Sequence, residues 1–167
     1  MPYKGLPGGR AYYRTKDAYA SQSFENETRQ KLDALDTSLG TIGEYVESVA
    51  AEGSVGTWVD NTGKTITSIS LTTGTWDVAA FGSFAGGAIT GTASAFSIST
   101  VANTIQAADK SQTPSVPTAT SEVYLSVMPR RISLTTTTTI YLVGLIKFSG
   151  GTPTAGGTLR ATRALAR

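Results

Sequence analysis

The chain contains no cysteine and no histidine. Without cysteine there is no disulfide and no thiolate metal ligand, and the redox compartment stays open. Without histidine, Ser-His-Asp and Cys-His nucleophiles, His-ligated zinc and a histidine pH switch are all excluded. Long apolar runs are lacking too. The longest, Ile140 to Ile146, falls far short of the roughly 20 residues that span a bilayer. The Gly/Pro-rich start carries no apolar leader, so the expectation is a soluble protein made in the cytoplasm, with no membrane partner. Charge is sparse beyond Gly53, and the net charge of +2 is too small to imply a nucleic-acid partner.

What is present is uneven. Ser and Thr make up about a quarter of the 167 residues, well above ordinary globular usage, and threonine's β-branch favours strands. Residues 1–16 carry Lys4, Arg10, Arg14 and Lys16 without an acid, while residues 17–52 are acidic and charge-dense. Pro2, Pro7 and Gly8-Gly9 forbid a helix at the start. Aromatic and arginine residues are typical interface anchors, so residues 1–22 read as an extended arm. It would dock on a neighbouring protein through Tyr3, Leu6, Arg10, Tyr12, Tyr13 and Arg14.

Leu32, Leu35, Leu39, Ile42, Val46 and Val49 recur in steps of three and four. That spacing predicts one short coiled-coil-like helix over residues 23–52, capped by Ser23 and Gly53, with those six residues as its oligomerisation seam. Gly40 and Gly43 lie inside it, each costing about 1 kcal/mol relative to alanine. Packing of the same stripe onto the chain's own β domain is the alternative.

Residues 53–63 read as hinge and lead-in, ending in the Asp60-Asn61-Thr62-Gly63 turn, since Asn and Gly tolerate positive φ. Period-2 alternation then predicts strands at 64–71, 76–84, 88–99, 122–128, 132–134, 140–148 and 158–167. The continuous apolar run at 140–148 marks a central strand, and 101–120 reads as a polar surface loop. The fold class is therefore mainly β: arm, short helix, then an antiparallel β-sandwich of jelly-roll type over residues 64–167.

Little in the sequence carries chemistry. Gly63-Lys64-Thr65 lacks the first glycine of a phosphate loop, because position 58 is Trp58, and it opens a strand where such a loop opens a helix. Asp77 with Glu122 is the one conceivable carboxylate pair for glycoside hydrolysis. Trp58, Trp76, Tyr124 and Tyr141 are candidate sugar platforms, with Trp76 and Tyr141 better placed in a core and Trp58 the freer. Arg130, Arg131, Arg160, Arg163 and Arg167 form basic clusters that are candidates for nucleic acid or an anionic sugar, and they suit ion pairs with the acidic helix of a neighbouring subunit at least as well. The reading is no enzyme, with no catalytic, cofactor or metal residues assigned.

At Leu71-Thr72-Thr73-Gly74-Thr75-Trp76-Asp77-Val78 the chain resembles a family of small tailed-bacteriophage structural proteins. The resemblance continues at Pro129-Arg130-Arg131-Ile132-Ser133-Leu134, at Thr138-Thr139-Ile140-Tyr141-Leu142-Val143 and at Arg160-Ala161-Thr162-Arg163. It covers roughly residues 65–167. It implies a virion protein, a trimeric head decoration protein or short head fibre, bound through its arm to the major capsid or another virion protein. The alternative is a tail fibre or a carbohydrate-binding receptor module reading a host surface glycan through Trp58 and loop 101–120.

Overall fold

The computed structural model describes residues 24–31, 43–86, 89–107, 110–113 and 122–164. The chain divides into two compact units, Met1–Gly40 and Thr41–Arg167. In the first, residues 24–31 form the helix α1, where the Thr28 hydroxyl donates to the Phe24 carbonyl.

The second unit is built from eight strands: β1 (Tyr45–Ala50), β2 (Lys64–Leu71), β3 (Gly74–Ala85), β4 (Thr90–Ser99), β5 (Lys110–Thr113), β6 (Val123–Leu134), β7 (Thr138–Ser149) and β8 (Thr154–Ala164). They form two antiparallel four-stranded sheets, ordered β1-β8-β3-β6 and β2-β7-β4-β5. Every connection except β4 to β5 changes sheet. This is the eight-stranded jelly roll, two Greek keys wrapped into a sandwich. The expected fold class holds.

The expected helix does not run to residue 51. Tyr45–Ala50 is a strand paired antiparallel with β8, Tyr45 facing Thr162 and Ala50 facing Gly157. Val46, Ser48 and Ala50 turn inward, and Val46 and Ala50 pack on the core. Val49, an odd number of residues from Val46, lies on the opposite face and is exposed. Val46 and Val49 therefore share no seam. The physical reason is that β8 offers a complete ladder of backbone partners, whereas the helix would hold Gly43 in its interior. Gly43 instead takes φ +82° and donates to the Arg163 carbonyl at 3.2 Å. Leu32, Leu35, Leu39 and Ile42 lie outside the described residues, as do Tyr3, Leu6, Arg10, Tyr12, Tyr13 and Arg14.

The core lies between the sheets. Trp76, Phe84, Phe96, Leu71, Ile98, Ile140, Leu142, Ile146 and Leu159 are fully buried. Phe84 of one sheet stacks on Phe96 of the other with ring centres 4.5 Å apart. Trp58 meets Phe84 edge-on at 5.0 Å. Each such side chain contributes about 1.5–3 kcal/mol by leaving water. Two bulges adjust the pattern. At the β2 bulge Thr65 and Thr67 face consecutive residues of β7. Ile66 and Ile69 can then both face the core despite their odd spacing. At the β6 bulge Val127 and Arg130 face Ala80 and Val78. Pro129 therefore interrupts the register while the strand continues, as an edge strand permits.

Loop 101–120, expected to be a polar surface loop, is partly structured. Asn103 donates its backbone N–H to the Thr65 hydroxyl and accepts from the Thr65 N–H through its side chain, at 2.9 and 2.8 Å. Gln106 N–H reaches the buried Ser97 hydroxyl, and Val101 and Ser99 exchange two bonds. Residues 101–107 thus lie over the outer face of β4, and 110–113 form an edge strand. Hydroxyls also join the sheets at both flanks: Ser48 to Thr67 at 2.6 Å, and Ser111 to the Ser126 carbonyl at 2.6 Å.

Candidate functional site: a clamp and an open sheet face

The sequence motifs of β3, β6 and β8 converge. Asp77 lies in register with Arg131 on one side and Thr162 on the other, and Trp76 with Ile132 and Arg163. Because neighbours in a strand point to opposite faces, Trp76 and Arg163 turn inward while Asp77 and Arg131 turn outward.

Inward, Arg163 is 6% exposed, and a buried cation must be fully paired. Its Nε donates to Glu44 at 2.9 Å and its Nη1 to the Thr73 carbonyl at 2.7 Å, while Nη2 donates to the Thr72 hydroxyl. The guanidinium also lies 4.5 Å from the centre of the Trp76 ring. The Trp76 indole N–H donates to the Thr72 carbonyl at 2.9 Å. Gly74, at φ +136°, is small where a Cβ would strike the Arg163 guanidinium. One side chain thereby ties β1, the β2–β3 turn and β8. The arginine expected to pair with a neighbour's acidic segment pairs with that segment of its own chain.

Outward, Arg131 holds Asp77 through two parallel bonds of 2.7 Å. These bonds hold the Asp77 carboxyl below the usual carboxylate range and raise the Arg131 guanidinium above its ordinary value. Across the same outer face the register sets three rows. Tyr45, Thr162, Asp77 and Arg131 form the first; Glu47, Arg160 and Ala79 the second; Val49, Thr158, Phe81 and Ser126 the third. Tyr45 donates its hydroxyl to Glu47, which raises the phenol's pKa. Phe81 and Tyr124 stack with ring centres 5.8 Å apart and planes 15° apart. Between the rows run two depressions of about 470 and 320 Å³ that share Ala79, Pro129 and Arg160.

The remaining candidates separate. Trp58, read as the freer sugar platform, is 4% exposed and sits in the core. Its hydrophobic contact with Phe84 prevails over its position near a turn. Trp76 is in the core as expected, Tyr141 is half-buried and Tyr124 is exposed. Glu122 lies at the far end of β6, beside the Val123–Phe84 pair. Seven residues along β3 separate Phe84 from Asp77, about 23 Å at ~3.3 Å per residue. Glycosidase carboxylates stand about 5–9.5 Å apart, so these two cannot act on one bond. Lys64 opens β2 and donates to the Thr57 carbonyl at 2.6 Å.

No group of three or more metal-ligating side chains occurs among the described residues. Sequence reasoning named Arg160 only as part of a basic cluster and missed the sheet face it shares with Glu47 and Ala79. Its signal was the alternation of Tyr45, Glu47 and Val49, hidden by the competing helical spacing.

No protein-family model and no curated protein matches this chain. Among solved structures it is similar to a chain of the infectious bursal disease virus Gx strain. The identity is 16% and the TM-score 0.41, over 72% of this chain and 30% of that one. It is also similar to a Bacillus endospore appendage protein of a disulfide-linked pilus family. There the identity is 11% and the TM-score 0.34, over 75% of this chain and 93% of that one. The chain thus spans less than a third of the viral protein's length. Similarity at this level carries no argument about function.

Proposed function

We propose that this chain is a non-enzymatic structural protein of a bacteriophage virion, a trimeric head decoration protein or short head fibre. In this reading residues 1–22 anchor it to the major capsid or another virion protein. Leu32, Leu35, Leu39 and Ile42 contribute to self-association, and the jelly roll projects from the particle. One observation carries the reading. The motifs at 71–78, 129–134 and 160–163, which carry the resemblance to phage structural proteins, meet on neighbouring strands β3, β6 and β8, as the Trp76–Arg163 contact on the inner face and the Asp77–Arg131 pair on the outer face. Residues used to lock a scaffold suit a structural role, and the separation of Asp77 from the Glu122 end of the sheet, about 23 Å at ~3.3 Å per residue, argues against paired acid–base chemistry.

The experiment is a light-scattering mass of the intact protein and of a variant with Leu35, Leu39 and Ile42 changed to Ser, with antibody labelling of purified particles. A trimer that dissociates in the variant, together with label on the head, is the expected result. A monomeric parent removes the trimer, and label on the tail removes the head placement.

A further inference from the structure

The two sheets differ in what they leave bare. Among the described residues, Tyr45, Val49, Phe81, Tyr124 and Met128 are exposed large hydrophobic side chains on the strands of the β1-β8-β3-β6 sheet. The strands of the other sheet expose none. Residues 50–52 lie against one end of the outer face, at Gly156, while Asp77 and Phe81 stay exposed.

The β6 bulge sets two residues, Met128 and Pro129, opposite Ala79. Pro129 borders a groove of about 470 Å³ lined also by Ala79, Phe81, Val127, Thr158 and Arg160. Met128 takes no part in that groove; it projects from the edge strand and is 79% exposed. One sheet therefore carries a depression with an apolar wall and, on its edge strand, a flexible apolar side chain that its own fold leaves uncovered. Exposed apolar patches rimmed by polar residues mark protein contacts, and methionine adapts to irregular hollows.

Charge selects the partner. Asp77 is held by Arg131. Arg160 faces Glu47 across β1 and β8 and bonds the Tyr45 hydroxyl, which itself donates to Glu47. The face is compensated within itself and needs no ion from outside, which disfavours a nucleic-acid strand or an anionic sugar. It suits a neutral segment, and Val123 to Pro129 of β6, where Tyr124 and Met128 are exposed, carries no charge. We propose that Met128 of one copy enters the Ala79–Phe81 groove of the next, so that the edge of one sandwich seats on the sheet face of its neighbour. Such a head-to-tail contact must close into a ring to stay finite. It rests on the proposed trimer, in which it closes after three copies.

The test exploits the absence of cysteine. Full-length Met128→Cys and Thr158→Cys chains, produced together and oxidised, should yield a disulfide-linked pair that neither variant gives alone. In the parent, hydrogen peroxide should oxidise Met128 about tenfold more slowly than in the urea-unfolded chain, whereas the exposure of the isolated copy would leave it nearly as reactive. Met128→Glu should lower the oligomer mass, and Lys147→Glu on β7 should leave it unchanged. In a protein that is still oligomeric, absence of the mixed disulfide, unprotected Met128 or an unaltered mass of Met128→Glu overturns this contact and leaves the trimer standing. A monomeric parent overturns both.

Discussion

The Arg163 guanidinium carbon lies 4.5 Å from the centre of the Trp76 ring, in the interior of the sandwich near the entry of β1. Both come from motifs about 90 residues apart, and each satisfies the other's environment. The indole supplies a π face to a cation with little water around it. The cation's donors then reach Glu44, Thr72 and Thr73 and hold the turn that positions the indole.

Arg163→Met should lower stability by about 2–3 kcal/mol, because it removes charge-assisted bonds and leaves the Thr73 carbonyl without its donor. Arg163→Lys should recover less than half, since an ammonium cannot serve three divergent acceptors and stack at once. Urea midpoints for the three proteins measure this. Equal midpoints would refute the clamp.

Gly82→Ala tests the packing beneath the aromatic stack. A Cβ at position 82 would lie 2.5 Å from the Phe96 ring, and Phe96 is fully buried against Phe84. The usual gain from reduced unfolded-state freedom, about 0.4–1 kcal/mol, is smaller than an overpacking penalty of about 1–3 kcal/mol. A net loss is expected, partly restored by adding Phe96→Leu. A more stable Gly82→Ala would show that Phe96 is free to move.

The Asp77–Arg131 pair sets a pH dependence. The folded pKa of Asp77 is depressed, chiefly by the Arg131 hydrogen bonds. Its contribution is therefore complete above the unfolded value of ~3.9 and disappears as pH falls through the lower folded value. The pair is exposed, so the effect is modest and weakens in salt. The stability difference between the parent and Asp77→Asn should be present near neutral pH and vanish well below ~3.9. A difference independent of pH would contradict the assignment.

The extent of the β unit can be checked by truncation. A chain beginning at Thr41 keeps β1, Glu44 and the Arg163 ion pair, and should unfold at the midpoint of the full protein. A chain beginning at Gly53, the boundary suggested by helical spacing, loses all three. It should be less stable by at least about 3 kcal/mol and prone to aggregation through the uncovered edge of β8. Equal behaviour of the two would mean that β1 is dispensable.

Much of the sandwich was legible from the chain. Alternation placed Trp76, Val78, Ala80 and Phe84 on one buried face, and the run from Ile140 marked β7 as a central strand. Asn61 adopts the positive φ of 53° expected of its turn. Leu159, Ala161 and Arg163 alternate in sequence and are buried together. The candidate site was less legible. Trp58 and loop 101–107 looked available, and both are taken up within the domain. The Arg160 groove draws residues from β1, β3, β6 and β8, and no local spacing announces it.

The sequence by itself determined which segments could be strands, because a period of two is a property of neighbouring residues. It also excluded histidine and thiol chemistry outright. Only the tertiary structure decided the fate of residues 45–50, where Val46 and Val49 satisfy a helical spacing while Val46, Ser48 and Ala50 satisfy a strand. The local signals nearly balance there, and β8 breaks the tie. It supplies partners for the backbone and a buried face for Val46, which no property of the segment alone records.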